Sequence, residues 1–152
     1  MCTSFMGELL TATHNFGTAP TRGASTADTF KAALYLTTAT VNASTTAYSA
    51  TNEVSGTNYT AGGVSISSWA APTATNSSAT AGVAFTTPAA SITYTSVTLS
   101  TAFDCVLIYN STQSNKAVSV HTFSSQTITA GTFTLTMPTN NTTNALLRLA
   151  TT

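Results

Sequence analysis

Along this chain, apolar side chains recur at every second residue in short runs, the period of a β-strand and not of a helix. Phe30, Ala32, Leu34 and Leu36 share one parity, with Lys31, Ala33 and Tyr35 on the other. Val64-Ser65-Ile66 alternates, with a one-residue phase shift by Trp69. Ile92-Thr93-Tyr94 alternates, then Val97-Thr98-Leu99 continues on the opposite parity, which predicts a bulge or bend between them. From Phe103 to Tyr109 both parities are apolar, the mark of a central strand buried on both faces. Val118, Val120 and Thr122 oppose His121 and Phe123; Phe133, Leu135 and Met137 line one face; Leu147 and Leu149 oppose Leu146 and Arg148. Strands this short, spaced by about 8–12 residues, predict an all-β fold. The expected form is an antiparallel β-sandwich or jelly-roll-like barrel of about 8 strands, with a short N-terminal helix and arm.

The segments between these runs are rich in turn formers. The stretch from Glu53 to Gly63 contains Gly56, Asn58, Gly62 and Gly63, and Pro138-Thr139-Asn140-Asn141 turns the chain near its end. Thr60-Ala61-Gly62 and Thr129-Ala130-Gly131 read as a repeated bulge or turn device. The stretch 70–82 is low-complexity Ala, Thr, Ser and Asn with Pro72, and is expected to be an exposed loop or sheet edge. Near the start, Phe5, Met6, Leu9 and Leu10 fall on one helical stripe, capped by Thr3 or Ser4. Residues 11–27, with Gly17, Pro20 and Gly23, read as an extended arm. The expected organisation is therefore a stub and arm over 1–27 and one β domain over 28–152.

Polarity in this chain comes from hydroxyls. Of 152 residues, 36 are Thr and 18 are Ser, while only four are Lys or Arg and four are Asp or Glu. Zero net charge with so few cations gives no electrostatic footprint for nucleic acid or an anionic membrane. At 42% hydrophobic and no net charge, the chain is not of disordered composition. No apolar run approaches the length of a membrane-spanning helix, and the N-terminal residues lack the pattern of a secretory signal. Six N-x-[ST] sequons, at Asn42, Asn58, Asn76, Asn110, Asn140 and Asn141, follow from the composition.

Candidate chemistry is sparse. Asp104 and His121 lie on strands that a hairpin through 110–115 would bring near one another, but no G-x-S-x-G accompanies them. The four carboxylates, Glu8, Asp28, Glu53 and Asp104, are scattered; Glu53 stands out beside the turn-rich segment and is expected to form a structural ion pair with one of the few cations. Asp28 reads as the residue that leads into a strand. Cys2 and Cys105 are too few for a disulfide framework, and their spacing from His14 and His121 fits no metal finger. No catalytic residue, metal ligand or cofactor site is expected. Tyr59 and Trp69 are candidate ligand-facing aromatics for a carbohydrate surface, although aromatics on strand patterns belong more often to cores.

Several stretches carry a family resemblance. They are Ser4-Phe5 with Glu8-Leu9-Leu10; Asp28-Thr29-Phe30-Lys31-Ala32-Ala33-Leu34-Tyr35; Asn52-Glu53-Val54-Ser55-Gly56-Thr57-Asn58-Tyr59 with Ala61-Gly62-Gly63; Leu107-Ile108-Tyr109-Asn110-Ser111; Ala130-Gly131-Thr132-Phe133-Thr134-Leu135-Thr136-Met137-Pro138; and Asn144-Ala145-Leu146-Leu147-Arg148-Leu149-Ala150. Together they resemble small virion structural proteins of tailed bacteriophages, along nearly the whole chain and most weakly in 70–82. The resemblance implies a non-enzymatic structural protein of the virion, assembled in the host bacterial cytoplasm, and best matches a capsid decoration or cement protein. Its implied partners are copies of itself and the major capsid protein, or else tail, neck or fibre proteins; no nucleic acid, membrane or cofactor is implied. Phe5, Met6, Leu9, Leu10 and Phe16 are the expected assembly contacts.

Overall fold

The computed structural model describes residues 2, 5, 9, 13, 14, 16, 27–77 and 80–150. The fold is all-β, with seven strands among the described residues: β1 Phe30–Leu36, β2 Val64–Ile66, β3 Thr73–Ser77, β4 Thr80–Thr86, β5 Ile92–Asn110, β6 Lys116–Leu135 and β7 Leu147–Ala150. They form two antiparallel sheets, one of four strands in the order β2-β1-β5-β6 and one of three in the order β3-β4-β7. The chain divides into two compact units: 1–14 with 28–66 and 92–134, and 15–27 with 67–91 and 135–152. The chain crosses between units at the expected boundary after residue 27, but 1–14 and 15–27 belong to different units and 28–152 is shared between the two.

In the first unit, β1 lies between β2 and β5. Phe30, Lys31 and Ala32 face Ile66, Ser65 and Val64, while on the other side Phe30 to Tyr35 pair with Asn110 to Cys105. Being internal, β1 buries both faces: Phe30, Ala32, Ala33, Leu34 and Tyr35 are all at most 1% exposed. Phe103 to Tyr109 is buried on both faces, as its double apolar pattern requires, apart from half-buried Asp104.

The C-terminal half departs most from the expected series of short strands. The runs 92–94, 97–99 and 103–109 fuse into the 19-residue β5, and 116–123, 127–129 and 132–135 fuse into the 20-residue β6. No proline separates them, and Ala130-Gly131 stays within β6; the breaks in parity are bends within continuous strands. Ser96 sits at φ 52°, where the alternation switches from Tyr94 to Val97, and Ala130 at φ 47°. The bend is sharp. Ten residues of straight strand span about 33 Å, yet the rings of Phe123 and Phe133 are 5.3 Å apart, and both meet Phe103 edge-on at 5.9 and 5.1 Å. Tyr94 likewise reaches the Ala32 carbonyl, although Ala32 pairs with Ile108 far along the same β5. The two long strands therefore fold back over the sheet they begin in, and Leu99, Val97, Tyr94 and Ile92 close the core from that side.

In the second unit, the low-complexity stretch, expected as an exposed loop or sheet edge, contributes β3 at the edge of its sheet and the start of β4, with Thr73, Ala74 and Thr75 opposite Phe85, Ala84 and Val83. Thr is well suited to a solvated strand, and small residues on both faces give no apolar alternation to read. β7 pairs on the far side of β4, with Leu147 opposite Thr86. Trp69 bridges Pro88, and Ala70 and Thr87 exchange further hydrogen bonds with the ends of this sheet.

Three of the N-x-[ST] asparagines prove to be turn formers. Asn42 Oδ1 accepts from the Ser44 N–H, Asn110 Oδ1 from those of Thr112 and Gln113, and Asn141 Oδ1 from those of Thr143 and Asn144. Bonding to the amide two or three residues on is the Asx-turn, which explains Asn at these positions without glycosylation. Asn110 is fully buried.

Gly63 is held at φ 73° against β1, and a Cβ there would overlap the Ala32 carbonyl oxygen. Gly63→Ala is expected to lower the unfolding free energy by about 3 kcal/mol or more, the clash adding to the left-handed backbone cost. Urea denaturation measures it.

Candidate functional site

All five tyrosines of the chain converge in the first unit, around the single carboxylate of Glu53. Backbone pairing sets the carboxylate in place. Glu53 bridges Tyr35, flanked by Leu36 N–H to the Asn52 carbonyl and Val54 N–H to the Leu34 carbonyl, each 3.0 Å. A tight turn precedes it, with Asn52 at φ 59°. Tyr48 Oη donates to Glu53 Oε2 at 2.6 Å; Tyr59 Oη and the Gly62 N–H donate to Oε1, each at 2.7 Å. The expected ion pair is thus replaced by two phenols and an amide. Charge-assisted hydrogen bonds of this length satisfy a carboxylate without requiring a buried cation.

The remaining hydroxyls extend this hub into the backbone. Tyr59 Oη also accepts the Leu34 N–H at 3.0 Å, Tyr109 Oη donates to the Gly62 carbonyl at 2.8 Å, Tyr94 Oη to Ala32 at 2.8 Å and Tyr35 Oη to Ser49 at 2.6 Å. Two stacked pairs pack the rings, Tyr48 on Tyr109 at 4.7 Å and Tyr59 on Tyr94 at 5.9 Å. Such pairs add about 0.5–1.5 kcal/mol each beyond burial. Burial, reinforced by the Glu53 charge, pushes the phenols of Tyr35 and Tyr109 up to about 12. Those of Tyr48, Tyr59 and Tyr94 are also driven upward, burial again being the largest cause. These phenols stay protonated at any physiological pH and act as donors.

Beside the hub lies a recess of about 160 Å³ lined by Tyr35, Thr40, Val41, Thr45, Ala47, Ser49, Thr51 and Asn52. Its hydroxyls are engaged locally: Ser49 Oγ donates to Thr51 Oγ1, and Thr45 Oγ1 accepts the Asn42 N–H.

The residues singled out from sequence are distributed differently. Tyr59 is half-buried, with its hydroxyl engaged by Glu53 and Leu34, and so does not present a free ligand-facing edge. Trp69 is 7% exposed, and Phe16 meets it edge-on at 4.8 Å within the second unit. Among the expected assembly contacts, Phe5 is 2% exposed, with its ring 4.8 Å from that of His14; it is a core residue of the first unit, since an aromatic ring gains most from burial within its own fold. Leu9 is half-buried, and both Phe5 and Leu9 have helical backbone, as their stripe requires. Met6, Leu10, Glu8 and the 17–26 part of the arm lie outside the described residues.

His121 Nε2 lies 3.0 Å from Ser119 Oγ, and burial lowers its pKa. Asp28, just before β1, accepts from Asn110 Nδ2 at 2.8 Å and Gln113 Nε2 at 3.1 Å, which ties β1 to the β5–β6 turn. Cys2 and Cys105 are both buried, and burial, then the Asp104 charge, pushes the Cys105 thiol up to about 11. Among the described residues, no three His, Cys, Asp or Glu side chains group as a metal site, and no helix is long and apolar enough to cross a membrane.

No local pattern in the sequence marks the hub. Its signal was the coincidence of five phenols with very few charges, which leaves a buried carboxylate only hydroxyls and amides as partners. The chain matches no family model, no curated protein and no solved structure.

Proposed function

We propose that this chain is a structural component of a tailed-phage virion, a capsid decoration protein that stabilises the head by bridging neighbouring subunits. On this reading, the folded-back β5 and β6 and the strands beside them form a small β-sandwich. The observation that carries the proposal is the division of polar chemistry in the first unit. Its phenols and the Glu53 carboxylate are spent on internal hydrogen bonds. The side chains left exposed along β6 are Thr122, Ser124, Ser125, Gln126, Thr127, Thr129, Thr132 and Thr134, with Ala130 among them, and none is charged. Hydroxyl surfaces of this kind mate with neighbours without desolvating ions. Many weak copies then bind a shell by avidity. The resemblance to small virion proteins points the same way.

The test is to purify the particles encoded with this chain and map it by immunogold labelling. Many copies over the head shell are expected, and particles lacking the chain should release DNA at a lower temperature. Absence from purified particles would overturn the proposal; labelling confined to the tail or neck would move its station and overturn the cement role.

A further inference from the structure

We infer that Tyr48 and Glu53 form a redox-active pair, which makes Tyr48 the position where an outer-sphere one-electron oxidant takes an electron from this chain. Removing an electron from a phenol turns its hydroxyl into a strong acid, so the electron leaves readily where a base stands ready for the proton. The bond that breaks is Tyr48 Oη–H, and the bond that forms is Glu53 Oε2–H. The electron passes to the oxidant, which is reduced, and Tyr48 is left as a neutral phenoxyl radical.

The five phenols of the hub differ in the acceptor they face. Tyr35, Tyr94 and Tyr109 donate to the backbone carbonyls of Ser49, Ala32 and Gly62. An amide carbonyl is too weak a base to take the proton, and these three residues are at most 2% exposed. Tyr48 and Tyr59 instead donate to a carboxylate, at 2.6 and 2.7 Å, within the range of direct proton transfer.

These two are not equivalent. Tyr59 Oη accepts the Leu34 N–H, which draws electron density from the phenol. Its acceptor, Oε1, also holds the Gly62 N–H and is the weaker base for it. Among the described residues, Oε2 takes no bond besides that of Tyr48. Tyr48 is half-buried, so an oxidant in solvent comes close to it. Its ring stacks on Tyr109 at 4.7 Å and 16°, a contact that spreads positive charge as the electron leaves.

The charge balance favours the same step. Before oxidation Glu53 is a carboxylate among phenols; afterwards it is a neutral acid beside a neutral radical. Burial disfavours the charged form, so the surroundings stabilise the product. Trp69, the other readily oxidised ring, is 7% exposed and belongs to the second unit.

The experiment oxidises the full chain with photogenerated tris(bipyridine)ruthenium(III), follows the transient absorbance and locates the oxidised residue by mass spectrometry. A phenoxyl transient is expected, with modification at residue 48. Its rate should be level across neutral pH and slower in heavy water, whereas free tyrosine gives its proton to solvent and reacts faster as pH rises. Tyr48→Phe, and Glu53→Gln, which puts an amide in place of the base, should each slow the reaction by about a hundredfold. Tyr59→Phe should leave it nearly unchanged. The mapping and the heavy-water effect in the unmodified chain hold even where a variant fails to fold. A radical on Trp69 or Tyr59, Tyr48→Phe reacting at the wild-type rate, or a rate that climbs with pH as in free tyrosine would each overturn the pair. The step is the same in or out of a particle, so its failure leaves the virion reading intact.

Discussion

Glu53→Ala is expected to lower the unfolding free energy by about 3–5 kcal/mol, a large share of the stability of a chain this size. The substitution strands Tyr48 Oη, Tyr59 Oη and the Gly62 N–H together. Each loses a charge-assisted bond, worth about 1.5–3 kcal/mol where no water replaces it. Tyr48 is half-buried, so water recovers part of its share. Glu53→Gln keeps one acceptor but turns an N–H₂ group toward a donor, and about half of the loss should persist. Tyr59→Phe tests the second link: it removes the donor to Glu53 and the acceptor of the Leu34 N–H in one step, and about 1–3 kcal/mol is expected. Urea titration with matched m-values measures all three. A Glu53→Ala change below about 1 kcal/mol would show that the hub does not hold the fold.

The second large effect is alkaline unfolding. Tyrosine in the unfolded chain ionises near its ordinary value of 10.0, whereas Tyr35 and Tyr109 in the fold hold their protons to about 12 and the other three are also raised. Above pH 10 the folded chain therefore binds more protons than the unfolded one. The stability is complete below pH 10 and is lost as pH rises from 10 through 12, by up to about 1.4 kcal/mol per pH unit for each fully buried phenol. Tyr35, Tyr94 and Tyr109 are at most 2% exposed, so their losses combine in a steep transition. Tyrosinate absorbance and the loss of circular dichroism should coincide. Five phenols titrating independently near pH 10, with the fold intact, would contradict a closed hub.

Strand identity was legible wherever a buried face imposes parity. The alternation at Phe30–Leu36, the double apolar run at Phe103–Tyr109 and the parity switch after Tyr94 correspond to β1, the internal part of β5 and the bend at Ser96. Strand length was not legible, because a bulge and a turn leave the same break in parity; only tertiary packing distinguishes them, here the contact of Phe123 with Phe133. β3 was hidden for the opposite reason: Thr73, Ala74 and Thr75 are all exposed, so neither face writes a pattern. Phe5, on the stripe expected to make assembly contacts, and Trp69, a candidate ligand-facing aromatic, are both buried, because aromatic area is worth most in a core. The partners of Glu53 come from residues as far apart as 48 and 62, and no local periodicity records which phenol meets which carboxylate.

The placement of β1 also sets an order of events. Its residues pair with 103–110, on the far side of most of the turn-rich segment and the whole β3–β4 hairpin. During synthesis, β1 thus lacks its full complement of partners on the β5 side until Asn110 has followed it. Within the four-stranded sheet, the β5–β6 hairpin joins segments adjacent in sequence and has the smallest loop to close, residues 111–115, so it is the natural nucleus of that sheet. Folding of the four-stranded sheet is accordingly a late step, timed by the arrival of the C-terminal half.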